Sequence, residues 1–223
     1  MSGKRTYGEA CAAAHALDLI GERWAMLVVR ELLLGPKRFT DLRTGVAHAS
    51  PNVLAQRLRD LEDAGVVRRR KLPPPAAAWV YELTEWGEEL EPVITALGRW
   101  GARSPNRSID CGMSVDSHVL AMRTMFDPAL AGDMDARFEL RLGEDAFRIE
   151  VRDGVLDAER GIADAPDATI SADPAALAAV LFHDRPLGDA MGADEIMVEG
   201  DVGAVERLAQ LFSRPELVPV AAG

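Results

Sequence analysis

Residues 50–71 read SPNVLAQRLRDLEDAGVVRRRK, and this stretch decides the fold of the first half of the chain. Ser50 supplies an N-cap and Pro51 a rigid first turn for a helix that Gly65 ends. The apolar and basic residues that follow, 66–72, are typical of a β-strand. The stretch therefore predicts a helix that leads directly into a basic strand.

The predicted helix has two different faces. Its apolar face carries leucines at i, i+4 and i+7, namely Leu54, Leu58 and Leu61. Its opposite face carries three polar side chains within roughly 60° of each other, namely Asn52, Gln56 and Arg59. Such a helix can pack on a core with one face and present the other to a partner.

The flanking sequence adds helices before this one and a hairpin after it. Apolar spacing predicts two helices within residues 15–34 and a short one over 39–44. Two strands are expected at 66–72 and 79–83, joined by a proline-rich tip, and one helix over 84–100. This order of elements is that of a winged helix-turn-helix.

Charge is distributed unevenly along the chain. Residues 1–104 contain 15 Lys and Arg against 13 Asp and Glu, a net +2, whereas residues 105–223 contain 10 against 23, a net −13. Residues 36–71 alone carry nine basic and four acidic side chains. A short basic region in an otherwise acidic protein predicts a phosphate-binding face.

A winged helix-turn-helix places one helix in the DNA major groove, where Gln or Asn can read adenine and Arg can read guanine. Phosphates can be held by a helix start or by a basic hairpin. The candidate DNA-binding residues are Lys37, Arg38, Ser50, Asn52, Gln56, Arg59, Arg68, Arg69, Arg70 and Lys71. Simpler interpretations are a solvated helix face and a basic edge strand that prevents aggregation.

Further motifs extend over residues 11–101. They are Gly21 and Trp24, Arg30-Glu31-Leu32, Gly35-Pro36-Lys37-Arg38-Phe39 with Leu42, then Leu54, Arg57, Leu58, Leu61 and Gly65, then Tyr81-Glu82-Leu83-Thr84 with Gly87, and Trp100-Gly101. With them the segment resembles the HxlR-type winged-helix transcriptional regulators, relatives of the MarR group. The resemblance implies a homodimer joined by the first and last helices of the domain. Such a dimer suits a pseudo-palindromic site in double-stranded DNA, with half-sites ~10 bp apart.

The chain departs from this family at two positions. The family usually carries a Cys-Pro pair at the first helix, where some members sense oxidants or electrophiles, but here Cys11 is followed by Ala12. Cys11 is a candidate redox sensor, and the alternative is a small buried side chain on an Ala-rich helix. Pro51 stands where the family commonly has a polar residue, which removes one potential base or phosphate contact.

The second half follows a linker at 104–107 and a helix over 115–126. Apolar residues then alternate with charged ones over 138–142 and 147–151, and a third strand follows Gly154, which predicts an antiparallel meander. The remaining elements are an apolar helix over 174–182, a strand over 196–199 and a helix that ends near Phe212. The fold class is α+β, with domains expected at residues 1–104 and 105–223.

Motifs in the second half are Phe138-Glu139-Leu140, Arg152-Asp153-Gly154, Ala168-Thr169-Ile170-Ser171-Ala172 and Met197-Val198-Glu199-Gly200-Asp201, with Leu208 and Leu211-Phe212. With them residues 116–214 resemble the sterol carrier protein family. The resemblance implies an apolar cavity that holds lipids or other hydrophobic small molecules. Its candidate lining residues are Leu177, Val180, Leu181, Phe182, Leu187, Met191 and Leu211. For most of them a plain core role is the alternative.

The sequence carries no pattern of a common enzyme site. Phosphate-cradling glycine loops, His-Glu-x-x-His pairs and Gly-x-Ser-x-Gly elbows are missing, and the adjacency of His183 and Asp184 orients no base. Cys11 and Cys111 are too few for a disulfide framework or a four-thiolate zinc site. We therefore expect no catalytic residue, metal or cofactor. Because no apolar run approaches the ~18 residues of a membrane span, we expect a cytoplasmic protein.

These patterns together predict a DNA-binding transcriptional regulator. We expect a homodimeric repressor whose DNA affinity changes when a hydrophobic small molecule binds the second domain. One alternative is a lipid or small-molecule carrier, or an accessory protein, whose winged helix contacts proteins. Another is that the second domain only stabilises the chain. Salt-dependent DNA binding and a co-purified apolar ligand would distinguish the three.

Overall fold

A computed structural model of the chain describes residues 6–107, 112–213 and 216–219. The chain divides into two compact units, residues 1–94 and 95–223, and the division falls within one helix. The boundary expected at residues 104 and 105 stays a prediction. Cys111 lies outside the described residues.

The first unit consists of helices and one hairpin. Its elements are α1 (Ala12–Ile20), α2 (Ala25–Leu32), α3 (Phe39–Gly45), α4 (Pro51–Asp63), β1 (Val67–Lys71), β2 (Trp79–Leu83), α5 (Glu85–Glu88) and the start of α6 (Glu91–Ala102). β1 and β2 pair antiparallel, with Arg68 opposite Glu82. The predicted winged helix-turn-helix order is confirmed.

The ends of α4 follow from local chemistry, as the sequence predicted. The Ser50 hydroxyl accepts a hydrogen bond from the backbone N–H of Val53 at 3.3 Å. Gly65 has φ +73°, a left-handed conformation that favours glycine. The leucines of the apolar face are buried at 1% exposure or less: Leu54, Leu58 and Leu61. Each contributes about 1.5–3 kcal/mol by leaving water.

A buried carboxylate joins the segments that precede α4. Glu31 is 0% exposed and accepts hydrogen bonds from Arg30 and Lys37, both at 2.8 Å. A Cβ at Gly45, the last residue of α3, would lie 2.1 Å from Glu31 Oε2, so a larger residue would displace the carboxylate. Because a buried charge is costly unless it is paired, the two cations stabilise this cluster.

The prediction of a single helix over 84–100 is wrong, because the structure has two helices in this segment. Thr84 caps α5, accepting a hydrogen bond from the N–H of Gly87 at 3.1 Å. α6 begins at Glu91, and Pro92 occupies its first turn. Proline has no N–H to continue a preceding helix but suits the first turn of a new one, so the chain restarts at this point.

The second unit combines the rest of α6 with a five-stranded sheet and further helices. Its elements are α7 (Val115–Met125), α8 (Pro128–Ala131), β3 (Ala136–Leu142), β4 (Asp145–Arg152), β5 (Val155–Arg160), β6 (Ala168–Ala172), α9 (Pro174–Phe182), α10 (Leu187–Gly192), β7 (Ile196–Gly200) and α11 (Val202–Ala209). α8 and α10 were not expected, and α11 ends before Phe212, which instead bridges to Phe126. The predicted α+β class is confirmed.

The sheet has the strand order β5-β4-β3-β6-β7. The expected meander is present, since β3, β4 and β5 pair antiparallel, but β6 runs parallel to β3. The predicted antiparallel sheet is therefore confirmed apart from this one parallel pair. Alternation could not reveal the parallel pair, because both pairings bury every second side chain. The alternating residues are buried at 1% exposure or less: Phe138, Leu140, Leu142, Phe147, Ile149 and Val151.

Among the described residues, no helix has both the length and the apolar character that crossing a membrane requires.

Candidate nucleic-acid interface

The candidate recognition helix is α4, whose polar face lies opposite its buried leucines. Asn52, Gln56 and Arg59 are all exposed on this face. An α-helix fits the major groove, and amide and guanidinium groups are the side chains that read adenine and guanine edges there. The helix therefore presents base-reading chemistry to solvent.

Two of these side chains are already hydrogen-bonded to neighbours on α4. Arg59 Nη2 donates to Gln56 Oε1 at 2.7 Å, and Gln56 Nε2 donates to Asp60 Oδ1 at 2.8 Å. Asp60 also pairs with Arg57 at 3.1 Å. Both the oxygen and the nitrogen of the Gln56 amide are thus occupied, so Gln56 must break these two hydrogen bonds before it can make a bidentate contact with a base. This row of hydrogen bonds was not predicted, although the i+3 and i+4 spacings could have indicated it.

The start of α4 offers a small set of donors. The Ser50 oxygen accepts the Val53 N–H, so the hydroxyl keeps its own proton to donate. Pro51 has no N–H, which leaves the backbone N–H of Asn52 and the Ser50 hydroxyl as groups that can meet a phosphate.

The wing consists of β1, β2 and the connecting residues 72–78. Arg68 and Arg70 point to one face and share Glu82 on β2, at 2.7 Å and 2.6 Å. Glu82 is only 8% exposed. The hydrogen bond from Arg70, helped by Arg68 and opposed by burial, lowers the pKa of the Glu82 carboxyl below its usual value. This carboxylate positions two of the four basic side chains of the strand.

Arg69 faces the other side of the wing, where two aromatic rings hold it. Its guanidinium carbon lies 4.6 Å from the ring centre of Trp79 and 5.9 Å from that of Tyr81. Trp79 is 51% exposed, and Lys71 next to it is exposed as well. These aromatic residues were not predicted as part of the site, although their i, i+2 spacing on the strand that pairs with Arg69 could have indicated them. They give the wing a stiff cationic edge.

Lys37 and Arg38 lie in different environments. The Lys37 side chain is 12% exposed, and its ammonium is bonded to buried Glu31. The backbone of Lys37 forms two hydrogen bonds with Tyr81 of the wing, at 2.9 and 2.8 Å. Arg38 is exposed at the start of α3. Lys37 is therefore held against the core by its bonds to Glu31 and Tyr81, whereas Arg38 is at the surface.

Ion pairs divide the nine basic side chains of residues 36–71. Four have a carboxylate within 4.0 Å: Lys37, Arg57, Arg68 and Arg70. Within the part of the chain that the structure describes, five have none: Arg38, Arg43, Arg59, Arg69 and Lys71. Within residues 36–71, the positive charge that has no acidic partner therefore lies around α3, α4 and the wing.

The predicted ligand site in the second unit is almost closed. Four predicted lining residues surround its apolar cavity, which are Leu177, Val180, Leu181 and Leu187. The others, Phe182, Met191 and Leu211, do not line it, and the Phe182 ring instead packs edge-on against Phe212 at 5.7 Å. The cavity measures about 10 Å³, close to the room of one water molecule. Sheet residues such as Leu140 and Ile149 complete the lining, which helix-based reasoning missed.

Cys11 is exposed and precedes α1 as its N-cap, so the expectation of a small buried side chain is wrong. The backbone N–H groups of Ala14 and Ala13, at the start of α1, lower the pKa of its thiol. His183 and Asp184 follow α9 and are exposed. Over the described ranges, no three His, Cys, Asp or Glu side chains are grouped as a metal site.

Two family profiles match the chain. The profile of the HxlR-like helix-turn-helix family matches residues 19–108, which confirms the HxlR-type prediction. That of the alkyl sulfatase C-terminal family matches residues 108–218. The sterol-carrier-like interpretation of this second half stays a proposal.

Curated relatives match the first half. The uncharacterized HTH-type transcriptional regulator YvaP of Bacillus subtilis (strain 168) is 35% identical over 85 residues, covering 38% of this chain and 79% of YvaP. The HTH-type transcriptional regulator YodB of the same organism is 36% identical over 85 residues, covering 38% of this chain and 76% of YodB. The solved reduced form of YodB from B. subtilis shares 32% identity over 44% of this chain and 97% of that one, with a TM-score of 0.39.

The winged helix-turn-helix, the basic groups around α4 and these matches agree. The chain belongs to the HxlR-like helix-turn-helix transcriptional regulators and is a DNA-binding regulator of transcription.

Proposed function

We propose that this regulator is a homodimeric repressor that binds a pseudo-palindromic operator. The observation that carries the proposal is the group of five basic side chains without carboxylate partners around α3, α4 and the wing. In each half-site α4 enters the major groove, where Asn52, Gln56 and Arg59 read bases, and the wing contacts phosphates. Repression follows when the bound dimer blocks the promoter, and the site of action is the cytoplasm.

The dimer is supported by an apolar stripe along α6. Val93, Leu97 and Trp100, at i, i+4 and i+7, are 49%, 53% and 75% exposed. Leu17 on α1 is 51% exposed. Exposed apolar side chains at this spacing favour helix-on-helix association. The HxlR-type resemblance assigns the interface to these same two helices, the first and the last of the domain.

The effector part of the proposal gives the second unit a binding role rather than a catalytic one. Its apolar cavity is lined by the sheet and by α7, α9, α10 and α11, and the sterol-carrier resemblance implies an apolar cavity in this half of the chain. At about 10 Å³ the cavity must widen to take a hydrophobic molecule. A ligand that favours the widened form need supply only ~1–3 kcal/mol of coupling to change DNA affinity 5- to 150-fold.

Fluorescence anisotropy on labelled DNA from the gene's own upstream region tests this function. We expect tight binding that weakens steeply with salt and survives excess unrelated DNA. Sedimentation of the complex should give two chains per site. Binding that is equal on unrelated DNA, or absent over the salt range, would contradict operator recognition and favour a winged helix that contacts proteins.

The effector is tested separately on the same protein. Native mass spectrometry of the full chain from cell extract should find an apolar molecule bound, and its removal should change operator affinity. A ligand-free protein whose DNA affinity does not respond to an added long-chain fatty acid would leave the second unit as a stabilising domain.

Oxidation of Cys11 is proposed as a second signal that changes the affinity of the regulator for its operator. Its thiol is exposed and has a lowered pKa, which favours the reactive thiolate. We expect diamide to change operator affinity of the wild type and to leave Cys11→Ser unaffected. An equal response of both proteins would assign any oxidant effect to another group.

A further inference from the structure

The second unit pairs most of its arginines with carboxylates. Eight described arginines have one within 4.0 Å, which are Arg123, Arg137, Arg141, Arg148, Arg152, Arg160, Arg185 and Arg207. In the described residues of this acidic unit, Arg99, Arg103 and Arg107 have none. With acidic side chains so abundant, two neighbouring arginines left without a counterion need an explanation.

Arg99 and Arg103 are one helical turn apart on α6, and backbone oxygens hold both. Arg99 Nε donates to the carbonyl oxygen of Thr124 at 2.6 Å, and Arg103 Nε donates to that of Glu216 at 3.2 Å. These bonds use one N–H of each guanidinium and orient the rest of the group. Fixed guanidinium groups bind carboxylates better than mobile ones, because less side-chain entropy is lost.

Both arginines line a pocket of about 310 Å³ whose other walls are Trp100, Met125 and Ser213. The indole ring and the thioether are apolar and polarisable, and they favour an aromatic ring as neighbour. The Ser213 hydroxyl is placed by its bond to the Met125 carbonyl at 3.4 Å. The pocket therefore combines two cations with an aromatic wall, in a volume that suits a small organic molecule.

We propose that this pocket binds a small aromatic carboxylate. The carboxylate lies between the guanidinium groups of Arg99 and Arg103, which relieves the repulsion between two like charges at i, i+4. The aromatic ring lies against Trp100 and Met125. The pocket is separate from the apolar cavity beside α9, since the two share no lining residue, and the proposal does not depend on that cavity taking a ligand.

The test is calorimetric titration of the full chain with naphthoate and with its neutral analogue naphthylmethanol, together with the tryptophan fluorescence of the protein, to which Trp100 contributes. We expect naphthoate to bind at least about tenfold more tightly than naphthylmethanol, because the charge-assisted bonds require the carboxylate. Arg99→Gln and Arg103→Gln should each weaken naphthoate about tenfold or more and leave naphthylmethanol unchanged. Arg207→Gln, an exposed arginine on α11, is the matched control and should bind like the wild type.

Trp100→Leu should remove the fluorescence response and weaken both probes, because it removes the aromatic wall. Trp100 also belongs to the exposed stripe of α6, so the sedimentation coefficient and the unfolding temperature of every variant are measured alongside. The arginine variants should match the wild type in sedimentation coefficient, and the loss of the bond to the Thr124 or Glu216 carbonyl should lower their unfolding temperature only slightly. Equal affinity of the two probes, naphthoate binding that survives both arginine changes, or a loss of binding only together with a changed oligomer would each overturn the proposal.

Discussion

The recognition helix and the wing hold their polar side chains in different ways. On α4, Gln56 bonds to Arg59 and Asp60 at an exposed surface, where such pairs contribute only about 0.2–0.5 kcal/mol each. On the wing, Arg68 and Arg70 share the buried carboxylate of Glu82. The side chains of α4 can therefore exchange their contacts for base edges at little cost in free energy, whereas two arginines of the wing are already positioned before DNA binds.

The largest effect is expected where α4 reads bases. Arg59→Ala should cost about 1–3 kcal/mol on the operator, because a bidentate contact to a base is lost, and should relax preference at one base pair. Anisotropy on the operator and on single-base variants measures both. Arg207→Ala is the control, an exposed arginine on α11. A uniform loss on every DNA would show that Arg59 contacts phosphate instead.

The second effect concerns the contribution of Glu82 to the stability of the wing. Glu82→Gln should lower the free energy of unfolding by about 1–2 kcal/mol, because two charge-assisted hydrogen bonds to a buried carboxylate are lost and their arginines are partly exposed. Urea unfolding measures it, with the exposed Glu206→Gln as the control. If Glu82→Gln lowers the free energy of unfolding no more than the control does, the Glu82 contacts stabilise the wing no more than the surface pairs stabilise α4.

The same carboxyl makes this effect depend on pH. Because its pKa is lower in the folded protein than in the unfolded chain, its stabilisation is fully present above the unfolded value of about 4.3 and is lost as pH falls further, through the folded pKa. The difference between wild type and Glu82→Gln should therefore be constant from pH 7 to about pH 5 and shrink below about pH 4. A difference that grows on acidification would contradict the assignment.

A smaller effect is expected from Lys71, which has no acidic partner among the described residues. Lys71→Ala should weaken binding to all sequences alike and reduce the slope of log affinity against log salt by about 1. Lys71→Arg keeps the charge and should keep the slope. If Lys71→Ala weakened binding to the operator alone, Lys71 would contact bases rather than phosphates.

The smallest effect is expected from Asp60→Asn, which keeps the shape of the side chain and removes its charge. Since the Gln56 contact to Asp60 is a surface pair, operator affinity should change by no more than about 0.5 kcal/mol. If Arg59→Ala costs the same operator affinity with and without Asp60→Asn, the two positions contribute independently to binding. A large change would mean that the hydrogen-bonded chain on α4 orders the reading face.

Sequence patterns predicted much of this fold because its determinants are local. The cap at Ser50, the leucine period of α4 and the alternation in β3 and β4 each depend on residues within a few positions. The interruption at Pro92 was also local and should have been predicted. The parallel pairing of β6 with β3 could not be, because it joins distant residues through backbone bonds that carry no side-chain period.

The candidate site was predicted as a set of positions rather than as an arrangement. Helical spacing placed Asn52, Gln56 and Arg59 on one exposed face, but it could not show which cations are compensated. That depends on Glu31 and Glu82, which pair with cations of residues 36–71 that lie 6 to 14 residues away along the chain. In the second unit, apolar character identified helix residues around the cavity but not the sheet residues opposite, because a cavity is a property of packing across elements.

The position of β6 in the sheet also bears on how the chain folds during synthesis. The hydrogen bonds described for the winged helix join residues of the first unit, which leaves the ribosome before the second unit, so this part can fold while the second unit is still being made. The central strand β3, in contrast, waits for β6, and β6 waits for β7, which ends at Gly200. The apolar strands β3 and β4 are thus the part of the nascent chain most exposed to aggregation, and their alternating charged residues protect them until the sheet closes.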